Sequence, residues 1–400
     1  MFNRSNIDKR LVTILLIVFV QMVGASMILP ILPLYAQGQF DMSPTAVTLL
    51  VASFFAAQFV GGPILGRWSD KIGRVPVLIV SQVGTVIAFA AFGLATAPWM
   101  LFASRIFDGL TGGNIVVAQA YVTDVTPRQN RAQALGLIAA MFGLAFIIGP
   151  LIGGLLVGLG PRVPYFIAAG AAAAVVALTA LTLDESMTAE QREEIRARAV
   201  KLSFKAALAI RPLVFVLLIA FTVQFALGLV ISTLALFGEA VLFDTNPELG
   251  VGLILMFVGV SQLVTQTAIL PRAVARLGEE RLVVVGIAIR SVGLLIYSVM
   301  VTPALAILGG IFFSMGGGLT VPPAQSIATK TVDDSKRGGV LGVFSAVTSL
   351  SVIFSTAIAG VLFGVYPHLP NQVAFGASIL SLVPALALGR SMRRQVQVQA

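Results

Sequence analysis

The sequence GRWSDKIGR at residues 66–74 places four charges between two long uncharged stretches of the chain. Only 11% of the 400 residues are charged, so this cluster marks a place where two apolar segments end. A related stretch, PRAVARLGE at residues 271–279, begins 205 residues later and has Ala275 where the first copy has Asp70. The pattern predicts a tight turn in each copy and a chain built from two similar halves, the second of which lacks the acidic residue.

The composition excludes a soluble protein. Hydrophobic residues make up 58% of the chain and the mean hydropathy is +0.98, whereas a water-facing surface needs far more charge. A helix needs about 20 apolar residues to cross a bilayer, and continuous runs of this length differ from the short alternating strands of a membrane barrel. We therefore predict an all-α integral membrane protein whose twelve spans are residues 11–35, 45–66, 75–95, 98–122, 132–156, 163–183, 212–240, 249–270, 282–301, 303–328, 338–362 and 370–389.

The positive charge reflects topology and does not indicate a nucleic-acid partner. The net charge is +9, and 23 of the 26 Lys and Arg residues fall on one side of the predicted spans. Because positive loops stay in the cytoplasm, both termini are expected there. The first apolar run is long and leads into further spans, so we interpret it as span 1 and not as a signal peptide.

Metal and thiol chemistry receive no support from the sequence. The chain has no Cys, and its single histidine, His368, falls in a predicted outer loop. We therefore expect no metal site and no disulfide.

The hydrophilic stretch 184–211 divides the spans six and six. We predict an N-terminal six-helix bundle at 1–183, a cytoplasmic linker with an amphipathic helix at 184–211, and a second six-helix bundle with a short cytoplasmic tail at 212–400. Arg131 and Gly154 have counterparts 206 residues later in Arg337 and Gly360. Duplicated bundles of this kind are typical of secondary transporters, in which a site between the repeats opens alternately to either side.

Two motifs carry a resemblance to a known family. Span 5 holds a proline bordered by glycines, which bends a helix and permits close packing; its residues are Gly149, Pro150, Gly153 and Gly154. Together with the charged cluster, this motif makes the chain similar to the major facilitator superfamily, in particular its twelve-span drug–proton antiporters of the bacterial tetracycline-efflux type. Arg105 with Gly109 in span 4 matches a third family element. The chain departs from those antiporters at Gln21 and Arg290, where they carry acidic residues.

The resemblance implies roles for several residues. A conformational latch at the cytoplasmic ends of spans 2 and 11 would comprise Gly66, Asp70, Lys71, Gly73, Arg74 and Asp124, with Arg74 reaching toward Asp124. The resemblance also implies that spans 1, 4, 7 and 10 line a central cavity. This placement favours five amides as substrate contacts: Gln21, Asn114, Gln119, Gln224 and Gln325. Each of them could instead join neighbouring helices by hydrogen bonds.

Charged residues inside the spans are further candidates, because a charge in the bilayer needs a partner, a wet cavity or a function. Arg105 and Asp108 share one face of span 4. They are either a neutralising pair or a proton-coupling pair in which Asp108 carries the proton. Glu239, near the outer end of span 7, is another coupling candidate, although a solvated helix end explains it more simply. For Arg290, extension to the cytoplasmic interface is favoured over binding of an anion.

The predicted function is proton-coupled export of small amphipathic molecules, including cations. No nucleotide-binding or metal-dependent catalytic motif is present, so we expect no enzyme activity and no cofactor, with energy supplied by the proton gradient. The alternatives are a metabolite, sugar or lipid carrier of the same fold, and a membrane sensor or scaffold without transport. The expected setting is the inner membrane of a bacterium. The expected partners are protons, a small substrate and lipid, with the protein as a monomer.

Overall fold

The computed structural model describes residues 9–112, 114–127, 130–186, 188, 190, 204–332 and 337–399. In these residues the chain is almost entirely helical and contains no strand. The prediction of an all-α membrane protein is confirmed. Most of the predicted linker helix, at residues 191–203, lies outside the described residues, and the division at 183 and 212 stays a prediction.

The described helices fall into the twelve predicted spans in order along the chain. The first six consist of helices Lys9–Met27 with Leu32–Phe40 (span 1), Pro44–Ile72 (span 2), Arg74–Gly93 (span 3), Pro98–Thr111 with Asn114–Val125 (span 4), Arg131–Val157 (span 5) and Val163–Thr182 (span 6). A short helix, Phe204–Leu208, precedes the last six: Arg211–Phe237 with a π-helical turn Gly238–Leu242 (span 7), Pro247–Val264 with a π-helical turn Thr265–Ile269 and helix Leu270–Leu277 (span 8), Glu279–Val299 (span 9), Pro303–Lys330 (span 10), Arg337–Val365 (span 11) and Leu369–Gln399 (span 12). Several helices begin at a proline, which suits the first helical position because no backbone donor is needed there.

Span 4 differs from the predicted continuous helix over 98–122. Eleven of the crossings in the described residues are long and apolar enough to span a membrane as single segments. Span 4 is instead two short helices that end at Thr111 and resume at Asn114. The sequence has Gly112 and Gly113 at this point, and consecutive glycines weaken a helix because they lack side chains and gain conformational freedom when unfolded.

The charged cluster is mostly helical, which corrects the expected tight turn. Span 2 continues to Ile72, and span 3 begins at Arg74, so Gly73 alone forms the turn. Its φ of 114° lies in the region that favours glycine. Gly278, with φ 74°, has the same place between spans 8 and 9. The backbone of the repeat is therefore preserved although its charges differ.

The helices form two compact units. The first unit contains spans 1 to 6 except Ser43–Ala52, and it also includes Val251–Met256 of span 8. The second unit contains the rest of the second half together with Ser43–Ala52. Each unit has its own apolar core, with Ile14 and Tyr121 buried in the first and Leu213 and Ile287 in the second.

Candidate functional site

Arg74 is the centre of an ion-pair network at the junction of spans 2 and 3. Its side chain is almost fully buried and donates through Nη1 to Asp70 Oδ1 at 2.6 Å and to Ser69 Oγ at 2.7 Å. Its Nε lies 3.0 Å from Asp124 Oδ2, at the end of span 4. One guanidinium thus joins three consecutive spans of the first unit, in the fork geometry that arginine provides.

Two linker residues complete this network, although no motif in the sequence marks them. The carboxylate of Glu185 accepts from the backbone N–H groups of Arg74 at 2.9 Å and Val75 at 3.2 Å. Ser186 Oγ donates to Asp124 Oδ2 at 2.9 Å. A helix leaves its first N–H groups without partners and favours negative charge there, so Glu185 stabilises the start of span 3. A Cβ atom at position 73 would collide with this carboxylate, which is a second reason for glycine at that position.

Glu185→Ala is expected to lower the free energy of unfolding by about 1 kcal/mol, as loss of a helix cap does in other proteins. Thermal unfolding in detergent measures the effect. Glu190→Ala is the control, because Glu190 is an exposed carboxylate of the same linker. Equal midpoints for the two variants would show that the cap contributes nothing measurable.

The second half carries the same ion pair with its charges exchanged. Glu279 follows Gly278 as Arg74 follows Gly73, and Lys330 stands 206 residues after Asp124. Lys330 Nζ lies 2.8 Å from both carboxylate oxygens of Glu279, one of which also accepts from Ser326 Oγ at 2.8 Å. The second copy of the motif lacks the counterpart of Asp70 but retains a pair that joins the start of span 9 to the end of span 10.

Reversing the charge of Glu279 or of Lys330 alone should destabilise the protein, whereas reversing both should largely restore its stability. Glu279→Lys alone places two cations together, and Lys330→Glu alone places two anions together. Each single change should lower stability by about 0.5–1 kcal/mol, because the pair is partly exposed. The double variant should recover most of this loss in the same unfolding assay. A double variant as unstable as the sum of the single ones would argue against a direct pair.

Arg105 and Asp108 form a buried pair within span 4. Arg105 Nη1 lies 3.2 Å from Asp108 Oδ2, and Asp108 is 5% exposed. The guanidinium also faces two aromatic rings, with its central carbon 5.0 Å from the Phe92 centroid and 5.3 Å from that of Phe54. Cation–π contacts of this kind strengthen when water is excluded. The carboxylate is therefore buried beside a cation whose other neighbours are aromatic.

The break in span 4 lies one turn after this pair. Gln58 Nε2 donates to the carbonyl of Gly112 at 3.2 Å, and Ser81 Oγ donates to the carbonyl of Thr111. Side chains of spans 2 and 3 therefore satisfy carbonyls that a continuous helix would have paired internally. Interrupted helices next to ionisable groups are characteristic of transporter sites.

The glycine–proline motif of span 5 packs against span 1. A Cβ at Gly149 would collide with Ser26, and one at Gly153 would collide with the backbone of Met27. Ser26 Oγ donates to the carbonyl of Ala145 at 2.8 Å across the same contact. Gly154 is buried, and Pro150 lies inside an unbroken helix. These small residues allow the two backbones to approach closely.

The predicted cavity amides are distributed over both units. Gln21 and Gln224 are half-buried, and Gln119 and Gln325 are exposed. None of these four side chains forms a hydrogen bond with another described residue, so all four are free to contact a ligand. The side chain of Asn114 lies outside the described part of the chain.

Glu239 lies in the π-helical turn that ends span 7, and its side chain is exposed. This position agrees with a solvated helix end. Metal binding finds no structural support in the described ranges, where no group of three or more His, Asp or Glu side chains is arranged to hold an ion.

Comparison with known proteins gives matches over most of the chain. A family model described as Major Facilitator Superfamily matches residues 14–356 and, in a second match, residues 240–397. Tetracycline resistance protein, class C, of Escherichia coli is 29% identical over 393 residues, which are 96% of this chain and 97% of that protein. Multidrug resistance protein 2 of Bacillus subtilis (strain 168) is 29% identical over 386 residues, 95% and 96% of the two chains.

Solved structures share the fold at lower identity. The crystal structure of the human organic anion transporter MFSD10 has a TM-score of 0.71 and 20% identity, covering 94% of this chain and 98% of that one. The nucleoside transporter NupG has a TM-score of 0.76 and 14% identity, covering 96% and 99%.

Proposed function

The chain belongs to the major facilitator superfamily, and we propose that it is a proton-coupled antiporter that exports small amphipathic molecules by alternating access. The tetracycline and multidrug resistance proteins that match nearly its whole length support export of drugs or related compounds. Transport, and not catalysis, is the activity that these relatives support. In this proposal the protein works as a monomer in the inner membrane of a bacterium, with both termini in the cytoplasm and no cofactor.

The buried Arg105–Asp108 pair is the observation that carries the coupling proposal. A carboxylate that is 5% exposed can change its charge only by exchanging a proton, and the neighbouring cation makes its proton affinity sensitive to small changes in geometry. The interruption one turn away lets the two parts of span 4 move separately. Arg105 and Asp108 lie in the same part, so movement of that part relative to Phe54 or Phe92 would change the surroundings of the pair and couple proton transfer to the transport cycle.

A dye-flux assay in proteoliposomes tests this function. Rhodamine B, which carries a free carboxylate, and its ethyl ester, which does not, serve as probes because they are amphipathic and fluorescent. An imposed proton gradient should drive movement of at least one dye, and an uncoupler should abolish it. Movement that survives the uncoupler would indicate a passive carrier. Absence of movement with both dyes, together with absence of dye-induced proton flux, would favour a membrane sensor or scaffold.

A further inference from the structure

A second buried arginine lies in the other half of the chain, where the proposed proton site does not use it. Arg290 is eleven residues from the start of helix Glu279–Val299 and is 3% exposed. At about 1.5 Å per residue it lies about 16 Å along the helix, deep in the span. The sequence favoured a side chain that extends to the cytoplasmic interface, and its burial shows that this interpretation is wrong.

The guanidinium of Arg290 has few partners. Its Nη2 donates to the carbonyl of Val223 in span 7 at 2.9 Å, and its central carbon lies 4.0 Å from the ring centroid of Phe313 in span 10. Its Nε is buried and donates to no acceptor, and no carboxylate of the described residues forms an ion pair with it. Arginine keeps its charge in proteins, so a permanent cation is buried here without a carboxylate partner among the described residues and with at least one unpaired donor.

The first half treats its buried arginine differently. Arg105 also lies in mid-span against aromatic rings, but Asp108 neutralises it at 3.2 Å. The aromatic contact is therefore common to both arginines, and the counter-charge is missing only at Arg290. A contact that served packing alone would not require a charge, which is costly to bury without a partner.

The nearest neighbours of this guanidinium in spans 7 and 10 are a backbone carbonyl and a glycine. Nη1 points at Gly317 of span 10, where a Cβ would lie 2.6 Å from it. The carbonyl that binds Arg290 belongs to Val223, whose neighbour Gln224 is a half-buried amide without a hydrogen bond to another described residue. The Val223 carbonyl also belongs to a continuous helix, so Arg290 can leave it for another acceptor without exposing an unpaired group.

We infer that Arg290 binds the negatively charged group, a carboxylate or an enolate, of the transported molecule, with Gln224 beside it. The inference rests on the proposed transport function and makes it more specific. Arg74 is neutralised by Asp124 at the end of the spans, and the buried charges deeper in the described spans, Arg105, Asp108 and Arg290, leave one net positive charge. This balance favours anionic or zwitterionic amphipathic substrates over the cations that the sequence suggested.

Equilibrium binding to the purified protein tests the inference without transport. Fluorescence anisotropy in a non-ionic detergent, corrected for dye in empty micelles, compares rhodamine B with its ethyl ester. The wild-type protein should bind the free acid about tenfold more tightly, because only the acid carries a negative charge and can form an ion pair with Arg290 through two hydrogen bonds. Equal or tighter binding of the ester by the wild-type protein would overturn the inference, whatever the variants show.

Variants of Arg290 separate recognition from packing. Arg290→Gln should remove the preference for the acid and leave the affinity for the ester unchanged, whereas Arg290→Lys should retain part of the preference. Arg272→Gln is the control, since Arg272 is an exposed arginine that donates to the carbonyl of Ala268 within its own span. An equal loss of affinity for both dyes in Arg290→Gln would identify Arg290 as a packing residue. If the wild-type protein prefers the acid in the binding assay but moves neither dye in proteoliposomes, the proposed transport function is contradicted and the anion site remains.

Discussion

Proton-driven dye flux should fall to the level of empty liposomes when Asp108 is replaced by Asn. Asn has almost the same size and can keep a hydrogen bond to Arg105, but it cannot bind and release a proton. Arg105 then has no negative counter-charge at any point in the cycle, and the step in which the carboxylate changes its charge is lost. The change therefore removes the coupling and leaves the fold and the dye-binding residues in place.

Two measurements together identify the defect. Dye flux and dye-induced proton movement are followed in the same proteoliposomes, and dye affinity is measured by anisotropy, where Asp108→Asn should stay close to the wild type. Asp41→Asn is a matched control, because Asp41 is an exposed carboxylate with φ 49°, a conformation that Asn also adopts readily. Unchanged proton movement in Asp108→Asn would exclude Asp108 as the proton carrier. Loss of dye-induced proton movement in Glu239→Gln instead would assign that role to Glu239.

The largest loss of stability is expected for Arg74→Ala. Arg74 is 5% exposed and satisfies Asp124 in the first unit while also binding Asp70. Removal of one partner from a buried ion pair leaves the other charge uncompensated, which costs about 3–5 kcal/mol in other proteins. We expect a strongly lowered unfolding midpoint and poor yield in detergent.

Asp70→Ala is the informative comparison for this network. Asp70 is 39% exposed, and Arg74 keeps Asp124 when it is removed, so stability should change little. If the cluster at 66–74 acts as the conformational latch that the family resemblance implies, Asp70→Ala should nevertheless reduce dye flux about tenfold at unchanged dye affinity, a loss of about 1.4 kcal/mol. Wild-type flux in this variant would leave the network with a purely structural role.

The sequence predicted the helical fold well because hydropathy reports the length of each apolar segment. It failed at span 4, where hydropathy does not register an interruption of the backbone, although Gly112 and Gly113 together were an available sign. The Arg105–Asp108 pair was predictable because its members lie three residues apart on one helix. The contacts of Glu185 with the start of span 3, of Gln58 with Gly112 and of Phe92 with Arg105 join distant parts of the chain, and no spacing rule reveals them. The burial of Arg290 was missed for the same reason.

The exchanged charges of the two motif copies also limit how the gene can evolve. Internal duplications are open to recombination between their copies, which tends to make the halves alike. A crossover that gave span 4 the end of span 10 would place a lysine against Arg74, and the reciprocal product would place an aspartate against Glu279. Each half is therefore more stable with its own partner helix. The exchange of charge would thus select against such recombinants and help the two halves keep separate identities.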